Sequence, residues 1–224
     1  SRQISEHGNL IGRKKKLEAI SGEIKKIQQY FAPENKKSPV RATIAEGTDV
    51  PLYILGSSTD SAHLAAKEGL PYAFASHFAS NHLHNALRIY KQEFQPSEFL
   101  QKPYTIAGIN VYVADTDEEA ERMFTSLIRM FMSVLTGGRD PLQPPTPMTD
   151  ELIGMFKHPS LHQMLKYSFV GSKQTVKNQV QDFLGKTEVD ELIAVSTAYV
   201  LEDRLKSIRL FAEVMTEINT ENNS

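Results

Sequence analysis

The sequence predicts an α/β protein with a parallel sheet, and three observations support this prediction. Short apolar runs alternate four times with longer segments of helical periodicity after residue 51. The first of these runs, residues 52–55, is apolar throughout rather than alternating, which is typical of a strand covered on both faces. Each helical segment is long enough to form a right-handed crossover, the connection that joins parallel neighbours.

The composition is that of an ordinary globular chain. The 224 residues are 40% hydrophobic and 23% charged, so the chain can bury a sizeable core in one domain, 1–224. A net charge of −2 gives no electrostatic reason to expect nucleic acid or an anionic membrane as a partner. The absence of cysteine excludes disulfides, thiolate metal sites and thiol catalysis. No apolar run approaches the ~18 residues of a membrane span and no signal peptide opens the chain, so the expected location is the cytoplasm.

The first elements are a helix and a loop. Residues 1–12 are polar without an apolar period and are expected to be frayed. One apolar face of a helix between residues 15 and 31 is formed by Ile20, Ile24, Ile27 and Phe31. Prolines and lysines in residues 32–39 predict a loop, and residues 40–43 suit a short edge strand.

The next stretch, residues 51–78, is a strand–loop–helix–loop–strand unit around which the chain is organised. Its first loop contains Gly56, Ser57 and Ser58, and Ser58 has the position and chemistry of a helix N-cap. Gly69 stands where a helix commonly ends in a left-handed glycine. Backbone N–H groups and the helix dipole suit such a loop to a phosphate, although capping alone also explains Ser58.

One more strand and four more helices are predicted between residues 83 and 167. A helix at 83–94 is followed by a strand at 104–114. A long helix comes next: Thr116 and Glu119 have the spacing of a capping box at its start, and Gly137-Gly138 is expected to end it. The proline-rich segment 139–149 is a loop long enough to cover a site. Short helices are expected at 150–156 and 159–167.

The last part of the chain contains a turn, a helix, a strand and a final helix. Val170-Gly171-Ser172 is interpreted as a turn and cap, with a second anion-binding helix start as the alternative, and Gly185 is expected to end the helix that follows. A strand is predicted at 191–196, and the tail 217–224 is expected to be frayed. The final helix, 202–216, is predicted to bury Leu205, Ile208, Phe211, Ala212 and Met215.

Residues 52–78, LYILGSSTDSAHLAAKEGLPYAFASHF, resemble the bacterial-luciferase-like, flavin-dependent monooxygenases. Further matching stretches follow in the same order at 95–98, 103–104, 111–120 and 170–172. The resemblance implies a TIM-like (β/α)8 barrel, of which this chain contains about strands five to eight with their helices. It therefore also implies that the source protein is longer and that this partial barrel alone is inactive.

The resemblance implies an FMN-dependent oxidoreductase, a monooxygenase that uses reduced flavin and O2 on an unidentified small organic substrate. A flavin reductase or NAD(P)H would supply the reducing equivalents, and a homo-oligomer is expected. The residues implied to bind the cofactor are Gly56, Ser57, Ser58 and Ser61 at the phosphate and Ser76 and His77 beside the isoalloxazine ring.

Several alternatives remain open from the sequence. His77 is either a structural histidine or a pocket residue, and no catalytic residue is assigned. His158 and His162 have the spacing of two helix-face ligands but no obvious third ligand, so no metal site is predicted. The competing functions are a non-catalytic flavin-binding protein or inactive fragment, and an oxidoreductase that uses a deazaflavin instead of FMN.

Overall fold

The computed structural model describes residues 2–222, and it describes side chains from Lys15 onward except those of Lys16, Glu34 and Asn222. The helices are α1 (Arg2–Phe31), α2 (Thr59–Glu68), α3 (Leu83–Glu93), α4 (Asp117–Leu135), α5 (Asp150–Phe156), α6 (Pro159–Met164), α7 (Lys173–Thr187) and α8 (Leu201–Asn222). The strands are β1 (Ile54–Gly56), β2 (Tyr72–Phe74), β3 (Thr105–Ala114), β4 (Ser168–Ser172) and β5 (Glu191–Val195). Short 3₁₀ turns lie at Pro33–Lys37 and Ser80–His82.

The five strands form one parallel sheet built around β3. β2 pairs with residues 105–107 of β3, β4 pairs with residues 110–114, and β5 pairs with residues 106–110. Because β5 overlaps both other partners along β3, β2 and β4 must share one edge of β3 and β5 must occupy the other. The predicted α/β fold with a parallel sheet is therefore confirmed.

The core lies on both faces of β3, and all ten residues of this strand are buried. Its odd-numbered residues, such as Ile109 and Val111, join a cluster with buried side chains of α2, α3, α7 and α8. Tyr112 and Ala114, which point to the opposite face, join a second cluster with α4, α5 and α6. Burial on both faces explains why the strand is apolar almost throughout.

Several predicted helix boundaries are confirmed. Gly69 ends α2 with φ 62°, and Gly137, with φ 79°, follows the end of α4. The Thr116 hydroxyl accepts a hydrogen bond from the Glu119 N–H at 3.1 Å, as the capping spacing predicts. The prediction that Gly185 ends α7 is wrong, because the helix continues to Thr187 and ends where Glu188 takes the left-handed conformation (φ 50°).

Two predictions of strand positions are corrected. Residues 40–43 form no strand in the described chain, since the backbone turns there and the Ala45 N–H donates to the Ala42 carbonyl at 2.7 Å. Val170-Gly171-Ser172, interpreted as a turn and cap, is the second half of β4, although Ser172 is also the N-cap residue of α7. The strand is short and contains Gly171, so its sequence pattern favoured a turn.

The terminal helices extend beyond the predicted bounds into the stretches expected to be frayed. α1 begins at Arg2, and α8 continues through 217–222. The extension of α8 has a packing reason, because Ile218 is buried and Glu221 forms an ion pair with Lys177 at 2.6 Å. Of the α8 side chains predicted to face inward, Phe211 is buried and Met215 is partly buried, whereas Leu205, Ile208 and Ala212 are exposed, so the prediction of the buried face is wrong for these three.

Candidate functional site

The carboxyl ends of the strands meet at one edge of the sheet, because all five strands are parallel. Gly56 ends β1 and leads into α2, and Ser76 and His77 follow β2. Ser196 and Thr197 follow β5. Ligand and active sites in parallel α/β folds lie at this edge, so these residues are the first candidates for a binding site.

The start of α2 differs from the starts of two other helices. Ser58 occupies the N-cap position with extended backbone, but its side chain makes no capping hydrogen bond. In contrast, Thr116 caps α4, and Thr149 caps α5 by accepting from the Leu152 N–H at 3.3 Å. The N–H groups of the first helical turn have no partner within a helix, and those of α2 receive none from the Ser58 side chain.

A polar network fixes the shape of this loop. The Ser61 hydroxyl donates to the Ser58 carbonyl at 2.6 Å, and the Tyr72 hydroxyl donates to the same carbonyl at 3.2 Å. Gly56 is required here because a Cβ at this position would lie 2.0 Å from the Ser61 hydroxyl oxygen. Burial raises the pKa of Tyr72 to about 12, so its hydroxyl stays protonated and continues to donate.

The charge near the start of α2 limits what the loop can bind by itself. Asp60 is the acidic residue in the first turn of α2, and it complements the helix dipole from within the protein. Ser57 and Ser58 are exposed, so their hydroxyls are accessible to a ligand. The geometry fits a phosphate at the backbone N–H groups, but a dianion at this position needs a cation from outside the loop.

The end of β2 is tied to β3. Ser76 is fully buried, and its hydroxyl donates to the Gly108 carbonyl at 2.6 Å. The Asn110 side-chain amide donates to the His77 carbonyl at 2.6 Å. The His77 imidazole is half-buried, and burial lowers its pKa, so the neutral form is favoured.

Two polar residues of this edge escaped the sequence analysis. Asn110 is 3% exposed within a strand that is otherwise mostly apolar. A polar residue inside an apolar run is a signal for a buried hydrogen-bonding role, so it could have been noticed. Ser196 has a buried hydroxyl without a partner among the described residues, and no sequence pattern indicates it.

Comparison with known proteins identifies the family. The model of the luciferase-like monooxygenase family matches residues 16–191. The chain belongs to this family. The luciferase-like monooxygenase of Escherichia coli (strain K12) is 35% identical over 196 residues, which cover 88% of this chain and 58% of that protein. The chain therefore spans less than two thirds of the length of this luciferase-like relative.

Solved structures confirm that the fold is that of the luciferase-like barrels. The crystal structure of apo-MsnO8 has a TM-score of 0.75 and 27% identity, and the match covers 89% of this chain and 60% of that one. The oxygenating constituent of 3,6-diketocamphane monooxygenase from Pseudomonas putida, in complex with FMN, matches at 16% identity and a TM-score of 0.52, covering 74% of this chain and 48% of that one. An F420-dependent secondary alcohol dehydrogenase matches at 14% identity and a TM-score of 0.50, and the match covers 78% of this chain and 51% of that one.

This luciferase-like chain is thus a partial barrel. β1, β2, β3 and β5 lie side by side through residues near Leu55, Ala73, Ile106 and Glu191. β4 pairs separately with the distal half of β3. Within residues 2–222, no helix has the length and apolar character needed to cross a membrane.

Proposed function

We propose that this chain holds the phosphate of FMN in a monooxygenase that uses reduced flavin and O2 on a small organic substrate. The observation that carries the proposal is the start of α2, which lies at the carboxyl edge of the sheet without a side-chain cap. Such a helix start presents N–H donors and positive potential, which is the chemistry that a phosphate requires. The proposal concerns a longer protein, because the chain matches 58% of its Escherichia coli relative.

The residues of the loop between β1 and α2 would have different roles in binding the phosphate. Backbone N–H groups of the first turn and the hydroxyls of Ser57 and Ser58 would donate to the phosphate. The Ser61 hydroxyl gives its proton to the Ser58 carbonyl, so Ser61 would contribute its N–H and hold the shape of the loop. When bound, the flavin supplies the redox chemistry and the activation of O2, with electrons from a reductase or NAD(P)H.

The sheet provides an apolar surface next to this loop. Ala73 and Ile106 lie in register on β2 and β3, and each is 4% exposed. Buried apolar side chains at this level exclude water from the space beside the strand ends. A ring system held at the strand ends would therefore have a dry, apolar support below it.

A deazaflavin remains the second candidate cofactor. The FMN-bound monooxygenase and the F420-dependent dehydrogenase match this chain with TM-scores of 0.52 and 0.50, so fold similarity does not separate the two cofactors. Both cofactors carry a phosphate on the ribityl chain and would use the same loop. Their absorbance maxima differ, so the spectrum of the purified native protein distinguishes them.

A comparison of FMN with riboflavin tests the phosphate site. We expect the longer native protein that contains this chain to bind FMN more tightly than riboflavin by about tenfold, the effect of roughly 1.4 kcal/mol. The double substitution Ser58→Ala and Ser61→Ala should remove this preference, because it alters the loop that holds the phosphate. Quenching of flavin fluorescence, followed to millimolar ligand, measures both affinities.

The matched control is Thr116→Ala. This substitution removes a genuine cap from α4 and should cost about 1 kcal/mol of stability without changing the preference for FMN. Equal binding of FMN and riboflavin by the unaltered native protein would contradict the proposed site. A preference that survives the double substitution would show that the phosphate lies elsewhere.

A further inference from the structure

We propose that His77 is a fixed hydrogen-bond donor at the mouth of the site: its imidazole is neutral, carries its proton on Nε2, and donates to a carbonyl oxygen of the ligand. The identity of the ligand rests on the function proposed above, whereas the state of the imidazole does not. The nearest structural explanation is a histidine that only fills space at a strand end. Three features of the structure favour the donor role.

The first feature is the contact between the imidazole and Gly108. A Cβ on Gly108 would lie 2.6 Å from His77 Nδ1 and 3.3 Å from its Cε1. The Nδ1 edge of the ring therefore rests against the backbone of β3, and any larger residue at position 108 would displace it. Gly108 alternates along β3 with Ala107 and Ile109, which face the helices, so the ring lies on the opposite, inner face of the sheet.

The second feature is the different environment of the two ring nitrogens. Nδ1 is buried and has no hydrogen-bond partner among the described residues. Nε2 also has no hydrogen-bond partner among the described residues, but in contrast to Nδ1 it is not buried. It is therefore accessible from outside the sheet. A neutral imidazole has one donor and one acceptor nitrogen, and a donor buried without a partner is costly. The proton therefore belongs on Nε2, where water or a ligand can accept it.

The third feature is the backbone support on both sides of the ring. Ser76 donates to the Gly108 carbonyl at 2.6 Å, and Asn110 donates to the His77 carbonyl at 2.6 Å and to the Ser168 hydroxyl at 3.2 Å. The ring of Phe78 packs edge-on against His77 with centroids 4.7 Å apart. Asn110 and Gly108 are thus positioning residues, and a donor already fixed in place loses little entropy when a ligand binds.

The position of Nε2 indicates the chemistry of its partner. The donor lies at the carboxyl edge of the sheet, on the same edge as the start of α2. The partner of this donor must carry an oxygen acceptor and also fit against an apolar sheet face. A carbonyl group on a ring or on a small ketone meets both requirements. A flavin ring and an organic substrate can both provide this carbonyl, and separate additions of lumiflavin and cyclohexanone distinguish the two.

The protonation state can be measured without any ligand. In the ¹⁵N-histidine-labelled native protein at neutral pH, we expect the two ring nitrogens of His77 to have widely separated shifts, with the proton-bearing signal assigned to Nε2. The spectrum of the His77→Gln variant identifies the signals, and His82, which is exposed, provides the reference for an imidazole in water. A proton on Nδ1, or the averaged shifts of a freely exchanging ring, would overturn the proposal.

The acceptor is then identified by adding probes to the same labelled sample. A shift of the Nε2 proton with lumiflavin, which lacks the phosphate, places the carbonyl on the flavin ring. A shift with cyclohexanone but not with lumiflavin places it on the substrate. No response to either probe overturns the role in ligand binding, independently of whether FMN binds through its phosphate.

Side-chain amides test the geometry of the donor. The amide of His77→Gln reaches to about the position of Nε2, whereas that of His77→Asn reaches only to that of Nδ1. We expect the responding probe to bind His77→Gln within about threefold of the unaltered chain and His77→Asn about tenfold more weakly, a difference of roughly 1.4 kcal/mol. Gly108→Ala should weaken binding similarly and remove the distinctive His77 shifts, while circular dichroism verifies that the variant is folded.

The control for the amide series is His82→Gln. His82 is exposed in the turn Ser80–His82, five residues from His77, and its substitution should change neither the shifts of His77 nor the affinity. If His77→Asn bound the probe as well as His77→Gln, the donor role of Nε2 would be wrong. Weakening by Asn110→Ala with intact His77 shifts would show that Asn110 does not position the ring.

Discussion

The Asp117 side chain caps the N-terminus of α7. Its carboxylate accepts from the Ser172 N–H at 2.6 Å and from the Thr175 hydroxyl at 3.1 Å. This contact occupies the start of α7, which the sequence left open as a second anion site. Gly171 makes room for it, because a Cβ there would lie 2.7 Å from Asp117 Oδ1. At the start of α2 the N-cap residue Ser58 makes no capping hydrogen bond, and this contrast supports the choice of α2 for the phosphate.

The contact between Asp117 and α7 predicts a pH-dependent stability. The Ser172 N–H, followed by the Thr175 hydroxyl, holds the pKa of the Asp117 carboxyl below its usual value. A lowered pKa in the folded state stabilises the protein above the unfolded pKa of about 4, and the effect is lost as pH falls through the folded pKa. Asp117→Asn should therefore lower the melting temperature by a few degrees at neutral pH, and the difference should disappear under acidic conditions below the folded pKa.

Thermal unfolding at several pH values measures this effect. Glu118→Gln is the matched control, because Glu118 is exposed in the same helical turn, and its substitution should leave the pH profile unchanged. A difference between Asp117→Asn and the unaltered chain that stays constant down to the lowest pH would contradict the assignment to the carboxylate.

Sequence distance explains which residue contacts could be predicted. Thr116 and Glu119 are three residues apart, so their capping contact follows from local spacing. Asn110 and His77 are 33 residues apart, and Ser172 and Asp117 are 55 apart, so these contacts depend on how the strands pair. The sequence thus identifies Ser58 and His77 as candidate binding residues from their chemistry and position in the chain. Which side of the His77 ring is buried follows only from the register of β3.

At the scale of elements, α4 holds the proline-rich loop 139–149 along one of its faces. Thr125, Arg129 and Ser133 lie four residues apart and so share this face. The Thr125 hydroxyl accepts from the Thr146 N–H at 3.0 Å, Arg129 donates to the Thr146 hydroxyl, and Ser133 donates to Asp140 at 2.9 Å. The loop was predicted from its prolines, whereas its attachment to α4 was not, and a role as a lid stays a prediction.

Removal of the central anchor should loosen this loop. Thr125→Val keeps the shape of a buried side chain but leaves the Thr146 N–H without its acceptor, at a cost of about 1 kcal/mol. We expect trypsin to cleave after Arg139 severalfold faster in this variant, because local opening becomes more frequent. Thr136→Val is the control, since the Thr136 hydroxyl bonds carbonyls of its own helix at 3.0 and 3.1 Å and does not contact the loop. Unchanged cleavage of Thr125→Val would mean that other contacts hold the loop.

Long elements were predicted more accurately than short ones. The strand at 104–114 and the helix after Thr116 agree with β3 and α4, because each has many residues of one period. β4 was missed because five residues with a glycine cannot be separated from a turn by pattern. The α8 pattern identified a helix, but the structure buries Ser207, Phe211, Val214 and Ile218 and leaves Leu205 exposed. Periodicity establishes that a helix has an apolar stripe, and only packing decides which stripe is covered.

At the scale of the whole molecule, the partial barrel leaves strand edges unpaired. Among the described strands, β1 pairs only with β2 and β5 pairs only with β3, so each keeps one edge unpaired. Leu55 on β1 is 67% exposed and Ile193 on β5 is 46% exposed. Unpaired edges next to exposed apolar side chains promote association with other chains.

The 224-residue chain is therefore expected to self-associate when it is purified alone. Light scattering should show a mass that rises with concentration, and the chain should bind the dye ANS at its uncovered apolar surface. Leu55→Lys combined with Ile193→Lys should reduce both signals, because a charge on an uncovered edge opposes pairing. Ile44→Lys is the control, since Ile44 is 96% exposed in a loop away from the sheet. A monomer at all concentrations without dye binding, or an equal effect of Ile44→Lys, would show that the two edges do not drive association.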